Sequence, residues 1–237
     1  MTTTSGRTVR DGWRLAVGTL TALPTAPPER VDATTARTAI LLAPLAVAPL
    51  GVVAALLCLL PLPDPAAAVL VVGFLALATR ALHWDGLSDT VDGLTASYDR
   101  ERSLQVMKSG TSGPAGVVAT VVVLGLQAGA LTAYVDGVRG AVVAGVAVCL
   151  SRCALWVVCA APVPAARTDG LGTPFTGVVP TPVAGLGVLL TAVLPGLVVV
   201  ALVRRCTTRL GGVTGDVMGA AVEVGFAVLL LTLWGLA

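Results

Sequence analysis

The 237-residue chain is 56% hydrophobic but only 12% charged, and its mean hydropathy is +0.92. Soluble domains carry about 25% charged residues, so this composition excludes a soluble globular protein and indicates an integral membrane protein. The net charge of +2 and the lack of a basic patch argue against a nucleic-acid partner. Strand-period alternation is absent, which favours membrane helices over a β-barrel.

The chain begins with a basic segment, in which Arg7, Arg10 and Arg14 precede an apolar stretch that ends near Leu23. Arg14 interrupts the apolar pattern and no small-residue cleavage site follows, so a signal peptide is not favoured. The pattern instead predicts a retained interfacial helix over about residues 10–22.

The rest of the chain predicts a single membrane-embedded domain over residues 1–237, an all-α polytopic bundle of about six to seven membrane helices. Pro44 and Pro49 should bend the first of them. The expected membrane helices lie at about 38–61, 66–82, 115–134, 140–161, 182–194, 197–210 and 217–236.

The two short helices at 182–194 and 197–210 form a predicted hairpin, interrupted at Pro195 and Gly196. A single span across this region would place the arginines from Arg204 to Arg209 outside, against the positive-inside rule. A hairpin returns them to the inner face. That face also collects Arg80, Arg100, Arg102 and Lys108, and it is therefore predicted to be cytoplasmic.

An acidic stretch follows the second predicted span and places Asp85, Asp89 and Asp92 within eight residues. On a helix these positions fall within a sector of about 60°, so the three carboxylates share one face. Their mutual repulsion near a membrane indicates a bound cation, and the alternative is a solvated helix end. Oxygen ligands suit Mg²⁺ or Mn²⁺, which usually join protein carboxylates to substrate phosphates. Gly86 and Gly93 flank the acids and are expected to leave room for a bulky ligand.

A second acidic pair lies near the end of the chain, where Asp216 and Glu223 are seven residues apart with Gly219 near the same helical face. Gly219 and Glu223 are candidate substrate contacts. Glu223 lies about two turns into an apolar span, where an ionisable group is a candidate functional residue. The alternative is a structural ion pair of Glu223 with Arg152 or with another intramembrane cation.

His83 is the sole histidine, two positions before Asp85, and is either a catalytic base or a structural residue. Arg80, Lys108 and Arg152 are candidate contacts for phosphate oxygens. Their structural alternatives are snorkelling for Arg80, a solvated loop charge for Lys108 and a buried ion pair for Arg152.

Residues 83–93, His-Trp-Asp-Gly-Leu-Ser-Asp-Thr-Val-Asp-Gly, resemble the H-x-D-G-L-x-D-x-x-D-G signature of adenosylcobinamide-GDP ribazoletransferases, also called cobalamin synthases. Residues 21–24, Thr-Ala-Leu-Pro, are similar to the T-x-L-P of that family. The loop at 170–175 resembles its G-L-G-x-x-F segment, and residues 214–223 resemble its T-G-D-x-x-G-A-x-x-E segment. Together these segments extend over nearly the whole chain.

The resemblance implies transfer of a phosphocobinamide group from adenosylcobinamide-GDP to α-ribazole or its 5'-phosphate, with release of GMP and a requirement for Mg²⁺. It implies a multi-pass protein of the prokaryotic inner membrane and leaves the oligomeric state, a homo-oligomer included, open. Asp85, Asp89, Asp92 and Asp216 become the implied metal and pyrophosphate ligands, with Glu223 in support. Gly170 and Gly172 become implied substrate contacts in their loop.

The chain departs from the family at residues 109–113, where relatives carry an acidic residue and this chain has Ser-Gly-Thr-Ser-Gly. Two alternatives are a CDP-alcohol phosphotransferase and a cation-coupled transporter. The first requires a G-x3-D-x3-D continuation that does not follow here. The second predicts acids at mid-membrane and repeated halves, whereas most of these acids lie at the ends of spans.

Overall fold

The computed structural model describes the backbone of residues 4–135 and 137–236, and the side chains of residues 6–135 and 137–235. These residues form twelve α-helices, which confirms the all-α prediction. The helices are α1 Thr4–Leu20, α2 Ala33–Ala46, α3 Ala48–Cys58, α4 Asp64–Ala78, α5 Leu82–Ala96, α6 Arg100–Met107, α7 Pro114–Leu131, α8 Gly137–Ser151, α9 Ala154–Val158, α10 Thr181–Leu190, α11 Leu194–Leu210 and α12 Gly215–Thr232.

The first helix, α1, is amphipathic and begins at Thr4, earlier than predicted. Ala16, Val17 and Leu20 are buried on one face, which packs against α2. Arg10, which is exposed, pairs with Glu29 at 2.5 Å. A helix with one apolar and one basic face suits the membrane surface, and its interfacial position stays a prediction.

Four helical segments are long and apolar enough to cross a bilayer: Ala33–Cys58, Pro114–Tyr134, Gly137–Val158 and Gly215–Thr232. The helices α4 and α5 form a fifth candidate only if they count as one span, because they meet at a bend of 90°. The polytopic prediction is confirmed, but six to seven spans is too many. The excess comes from short helices such as α10, whose ten residues extend only about 15 Å, whereas the hydrocarbon core is about 30 Å thick.

The first span is interrupted at Val47, between α2 and α3. Pro44 lies inside α2 and Pro49 lies in the first turn of α3. Each proline removes a backbone donor, so the interruption lies where the two prolines predict it.

The predicted hairpin is confirmed, since α10 and α11 are separate helices that pack against each other. The chain breaks at Ala192 and Val193, both with a φ of 61°, and Pro195 opens α11 instead of causing the break. At the other end of α11, Arg100 donates from Nε to the carbonyl of Leu210 at 2.8 Å. The end of α11 therefore lies at the same face as α6.

The central helix of the bundle is α12, which is buried along most of its length and contacts α5, α7, α8, α9 and α11. At its C-terminal end the hydroxyl of Tyr134 donates to the carbonyl of Leu230. Its N-terminal end reaches the face that carries α5, α6 and the 160–180 loop. The candidate site is built around that end.

Candidate active site

The acidic helix α5 owes its direction to the bend at Arg80 and Ala81, whose φ angles are 56° and 53°. Two successive non-glycine residues in the left-handed region are costly and persist only where their surroundings hold them. Here the Arg80 guanidinium donates to the carbonyl of Gly18 at 2.6 Å. Arg80 therefore ties the bend to α1, and this contact favours the structural alternative over a phosphate contact.

The three acids of α5 lie in different environments. Asp85 is exposed, Asp89 is half-buried, and neither accepts a hydrogen bond from a described residue. Asp92 is buried, and its two carboxylate oxygens accept the backbone N–H groups of Gly113 and Gly116 at 2.6 and 2.8 Å. An anion at a helix N-terminus is stabilised by these free N–H groups. Asp92 thus anchors the start of α7 to α5, while its assignment as a metal ligand stays a prediction.

The two acidic stretches come together because α5 crosses α12 at glycines. A Cβ atom at Gly86 would lie 2.7 Å from the Asp216 carbonyl oxygen, and one at Gly219 would lie 2.9 Å from the His83 Cα. The predicted proximity of the two stretches is confirmed.

Protein also fills the space beside the two glycines of α5. A Cβ atom at Gly93 would lie 2.4 Å from Cγ of Met107, and Gly86 faces the backbone of α12. The expectation of ligand room at Gly86 and Gly93 is therefore wrong. These glycines allow helices to approach each other closely, and the ligand has to enter elsewhere.

Arg167 lies beside Asp216 at the N-terminal end of α12. It is a site residue that the sequence did not predict. The backbone of Ala166 donates to the Val213 carbonyl at 2.9 Å, which pairs the loop with the segment that precedes α12. This pairing places Nη2 of Arg167 at 3.4 Å from Oδ2 of Asp216, which also accepts the Thr214 hydroxyl at 3.0 Å. In the sequence, the only indication of a role for Arg167 is that this charged residue stands between an apolar run and a glycine-rich loop.

The glycine loop packs against the same helix end. A Cβ atom at Gly172 would lie 2.4 Å from the backbone nitrogen of Gly215, whereas one at Gly170 would meet open space apart from Thr173. Gly172 is thus required for the close approach of loop and helix. Of the two predicted substrate contacts in this loop, only Gly170 has free space beside it.

A second polar group lies below the acids, inside the bundle. Nε2 of Gln127 donates to Oε2 of Glu223 at 2.8 Å and to its backbone carbonyl at 3.1 Å. Nδ1 of His83 lies 3.6 Å from Oε1 of the same carboxylate, and all three side chains are buried. Gln127 was missed by the sequence analysis, although an isolated amide in an apolar span is an identifiable signal.

Arg152 is buried near this lower group and donates to the Ser151 hydroxyl at 2.7 Å and the Val148 carbonyl at 3.3 Å. It makes no ion pair within 4 Å with Glu223, whose carboxylate lies 3.6 Å from Nδ1 of His83, so the alternative of a pair between Arg152 and Glu223 does not form. Arg152 is buried, whereas Asp85 is exposed. The assignment of Arg152 as a phosphate contact stays a prediction.

Lys108 lies at the rim, where its Nζ donates to Oδ2 of Asp169 at 2.8 Å. This hydrogen bond and the ammonium charge hold the pKa of Asp169 below its usual range. Lys108 therefore closes α6 onto the 167–172 loop beside Arg167.

A cavity of about 150 Å³ opens beside the N-terminal end of α12. Its walls are mostly apolar, with Leu20, Ile40 and Phe175 among them, and His83 and Asp216 supply its ionisable groups. This arrangement joins an apolar surface to the Asp216 carboxylate, as a site for a partly apolar phosphorylated substrate requires.

No three Asp, Glu, His or Cys side chains in the described part of the chain are close enough to hold a metal by themselves. Mg²⁺ commonly uses one or two protein carboxylates and completes its shell with water and substrate phosphates. Asp85 and Asp89 lie one turn apart, and their carboxylates accept no hydrogen bond from a described residue. These two carboxylates can therefore serve as the protein ligands of such a cation. The residues present therefore fit a cation that is shared with a diphosphate.

Comparison with known proteins confirms the resemblance. The model of the cobalamin-5-phosphate synthase family matches residues 12–234. An adenosylcobinamide-GDP ribazoletransferase from Nocardioides sp. is 63% identical, with 94% of this chain and 98% of the relative covered. Relatives of the same name from Frankia casuarinae and Bradyrhizobium diazoefficiens are each 36% identical, over 93% and 70% of this chain and 93% and 69% of their own lengths. No solved structure matches the chain. The chain belongs to the cobalamin-5-phosphate synthase family.

Proposed function

We propose that this chain transfers the phosphocobinamide moiety of adenosylcobinamide-GDP to α-ribazole or its 5'-phosphate. The products are GMP and adenosylcobalamin or its 5'-phosphate. The observation that carries this proposal is the close approach of the acidic helix α5 to Asp216, which Arg167 contacts at 3.4 Å, in a member of this family. Neither the CDP-alcohol phosphotransferase nor the transporter alternative is supported by the comparisons.

In this proposal Asp85, Asp89 and Asp216 hold Mg²⁺, or Mn²⁺ in its place, together with the substrate diphosphate. The cation, when bound, supplies positive charge that neutralises the charge developing on the leaving GMP. Asp92 keeps the start of α7 against α5 and so fixes the position of the other acids.

The chain's own residues supply the remaining functions. Arg167 binds diphosphate oxygens, for which a guanidinium is well shaped. The ribose hydroxyl attacks the phosphorus bonded to cobinamide, the P–O bond to GMP breaks, and an aspartate or His83 accepts the hydroxyl proton. Glu223 and Gln127 hold His83 in place from below.

The active site is proposed to face the cytoplasm. Arg80, Arg100, Arg167 and Arg209 all lie on elements at the site face, and an excess of arginine and lysine marks the cytoplasmic side. That side is also where a nucleotide-activated substrate is available.

The proposal is tested with the purified protein, adenosylcobinamide-GDP, α-ribazole 5'-phosphate and Mg²⁺, with GMP measured by chromatography. We expect GMP and cobalamin phosphate in equal amounts, and none when either substrate or the divalent cation is omitted. Absence of GMP from a protein that is folded in detergent, or its release without a corrinoid product, contradicts the proposal.

A further inference from the structure

A second depression lies on the side of the bundle, away from the acids, where α9, α10 and α11 meet. It is a groove of about 640 Å³, a size typical of small-molecule sites. Val157 of α9, Val188 of α10 and Val200 of α11 supply part of its apolar lining. None of these residues belongs to the proposed active site.

The groove is polar at one end only. Arg204, Thr207 and Thr208 line the end nearest the site face, and no acidic residue lines any part of it. The Arg204 side chain is exposed and forms no ion pair or hydrogen bond with a described residue. The groove therefore offers an unpaired cation above an apolar channel.

The position of the groove fits the membrane as well. Helix α10 has ten residues and so reaches only about half-way through the hydrocarbon core. Leu186, Leu189 and Leu190 on the same helix are exposed. The apolar part of the groove then lies at the depth of acyl chains, and Arg204 lies towards the headgroups.

We propose that this groove binds one anionic phospholipid, with an acyl chain between α10 and α11 and the phosphate on Arg204. Charge complementarity selects this occupant, since an unpaired guanidinium without nearby carboxylates favours an anionic headgroup. One arginine near a membrane surface favours an anionic over a zwitterionic lipid by about fivefold. The proposal does not depend on the reaction that the chain catalyses.

Gly185 provides a direct way to block the channel. It lines the groove, and a Cβ atom added there meets no atom within 4 Å. Gly185→Leu therefore adds a bulky side chain at the groove wall, with an unobstructed Cβ atom and a better helix propensity. Gly125→Leu is the matched control, because Gly125 is also open and exposed on a helix but does not line the groove.

The headgroup contact is tested separately with Arg204→Ala. Its control is Arg205→Ala, which removes the neighbouring exposed arginine and leaves the same net charge. Arg205 does not line the groove.

Each variant is reconstituted in vesicles of equal phosphatidylglycerol and phosphatidylcholine, extracted in mild detergent, and examined by native mass spectrometry. We expect one retained phosphatidylglycerol on the starting protein and on both controls, its loss in Gly185→Leu, and a preference reduced about fivefold in Arg204→Ala.

Equal retention in all variants overturns the proposal, as does equal loss in Gly125→Leu and Gly185→Leu. A dimer that only Gly185→Leu dissociates would show that a second copy occupies the groove, and it would also overturn the proposal. If Gly185→Leu fails to fold, the pair of arginine variants decides the outcome.

Discussion

Two groups of polar residues share the helices α5 and α12, and they differ in how far the protein satisfies them. In the upper group, Asp85 and Asp89 accept no hydrogen bond from a described residue. In the lower group, Glu223 accepts from Gln127 at 2.8 Å and faces His83 at 3.6 Å. The helices α5 and α12 thus carry open carboxylates at the surface. Below them, Gln127 of α7 satisfies Glu223, while Nδ1 of His83 has no hydrogen-bond partner among the described residues.

The difference indicates a division of roles. The buried hydrogen bond between Gln127 and Glu223 joins α7 to α12, so we expect it to stabilise the bundle and the geometry above it. Grouped carboxylates without donors destabilise a protein until a cation joins them. We therefore expect upper-group substitutions to reduce catalysis without loss of stability, and lower-group substitutions to reduce both.

The largest effect is expected for Asp85→Asn. The change removes an open carboxylate at the proposed diphosphate site, and GMP release should fall about 10³-fold. Because it also relieves repulsion between like charges, the thermal unfolding midpoint should stay equal or rise. Asp64→Asn makes the same chemical change at an exposed position at the start of α4 and should leave turnover unchanged. Normal turnover of Asp85→Asn at saturating Mg²⁺ would remove this residue from the site.

The next largest effect is expected for Arg167→Ala, measured as kcat/KM for adenosylcobinamide-GDP. Loss of the guanidinium beside Asp216 removes a diphosphate contact and should lower kcat/KM about 10²-fold. Arg167→Lys keeps the charge but not the forked geometry, so it should recover only part of the loss. If the lysine variant is fully active, the residue contributes charge alone.

The sequence predicted the upper group because its residues are close together along the chain. Asp85 and Asp89 lie one turn apart, and helical spacing was enough to place them on one surface. Asp216 was added because it opens a second acidic helix. The crossing that joins them depends on Gly86 and Gly219, which the sequence analysis treated as ligand contacts.

Gln127 and Arg167 could not be assigned from their neighbours in sequence. Arg167 reaches Asp216 only because the Ala166 backbone pairs with Val213, a contact between distant parts of the chain. The direction of α5 could not be predicted either, since nothing in the sequence requires the positive φ angle at Arg80 that sets the bend before this helix. Such features arise from tertiary packing, which neither periodicity nor composition records.

A smaller effect on catalysis and a clear effect on stability are expected for Gln127→Leu. The change leaves the buried Glu223 carboxylate without its donor, which should cost about 1–3 kcal/mol in free energy of unfolding. GMP release should fall about tenfold, as is typical when a supporting residue is lost. Gln105→Leu, on the exposed side of α6, is the control.

The double variant Gln127→Leu/Glu223→Leu separates the two roles of the network. Replacing both partners of a buried hydrogen bond by apolar groups is often nearly neutral, so stability should return towards that of the starting protein. Activity should stay low, because nothing then orients His83. Recovery of both would show that the network is structural only.

The smallest effect is expected for Lys108→Met, which breaks the ion pair with Asp169 at the rim. Both side chains are largely exposed, and exposed pairs contribute little, so kcat/KM should change less than about threefold. The pKa of Asp169 is lowered by this lysine, so the contribution of the pair is present above the ordinary carboxyl pKa and is lost only as pH falls below it. The ratio of variant to starting activity should therefore be constant from about pH 6 to about pH 8. A large loss of kcat/KM across that pH range would instead indicate that Lys108 contacts a substrate phosphate. Lys108, at the end of α6, would then belong to the upper group.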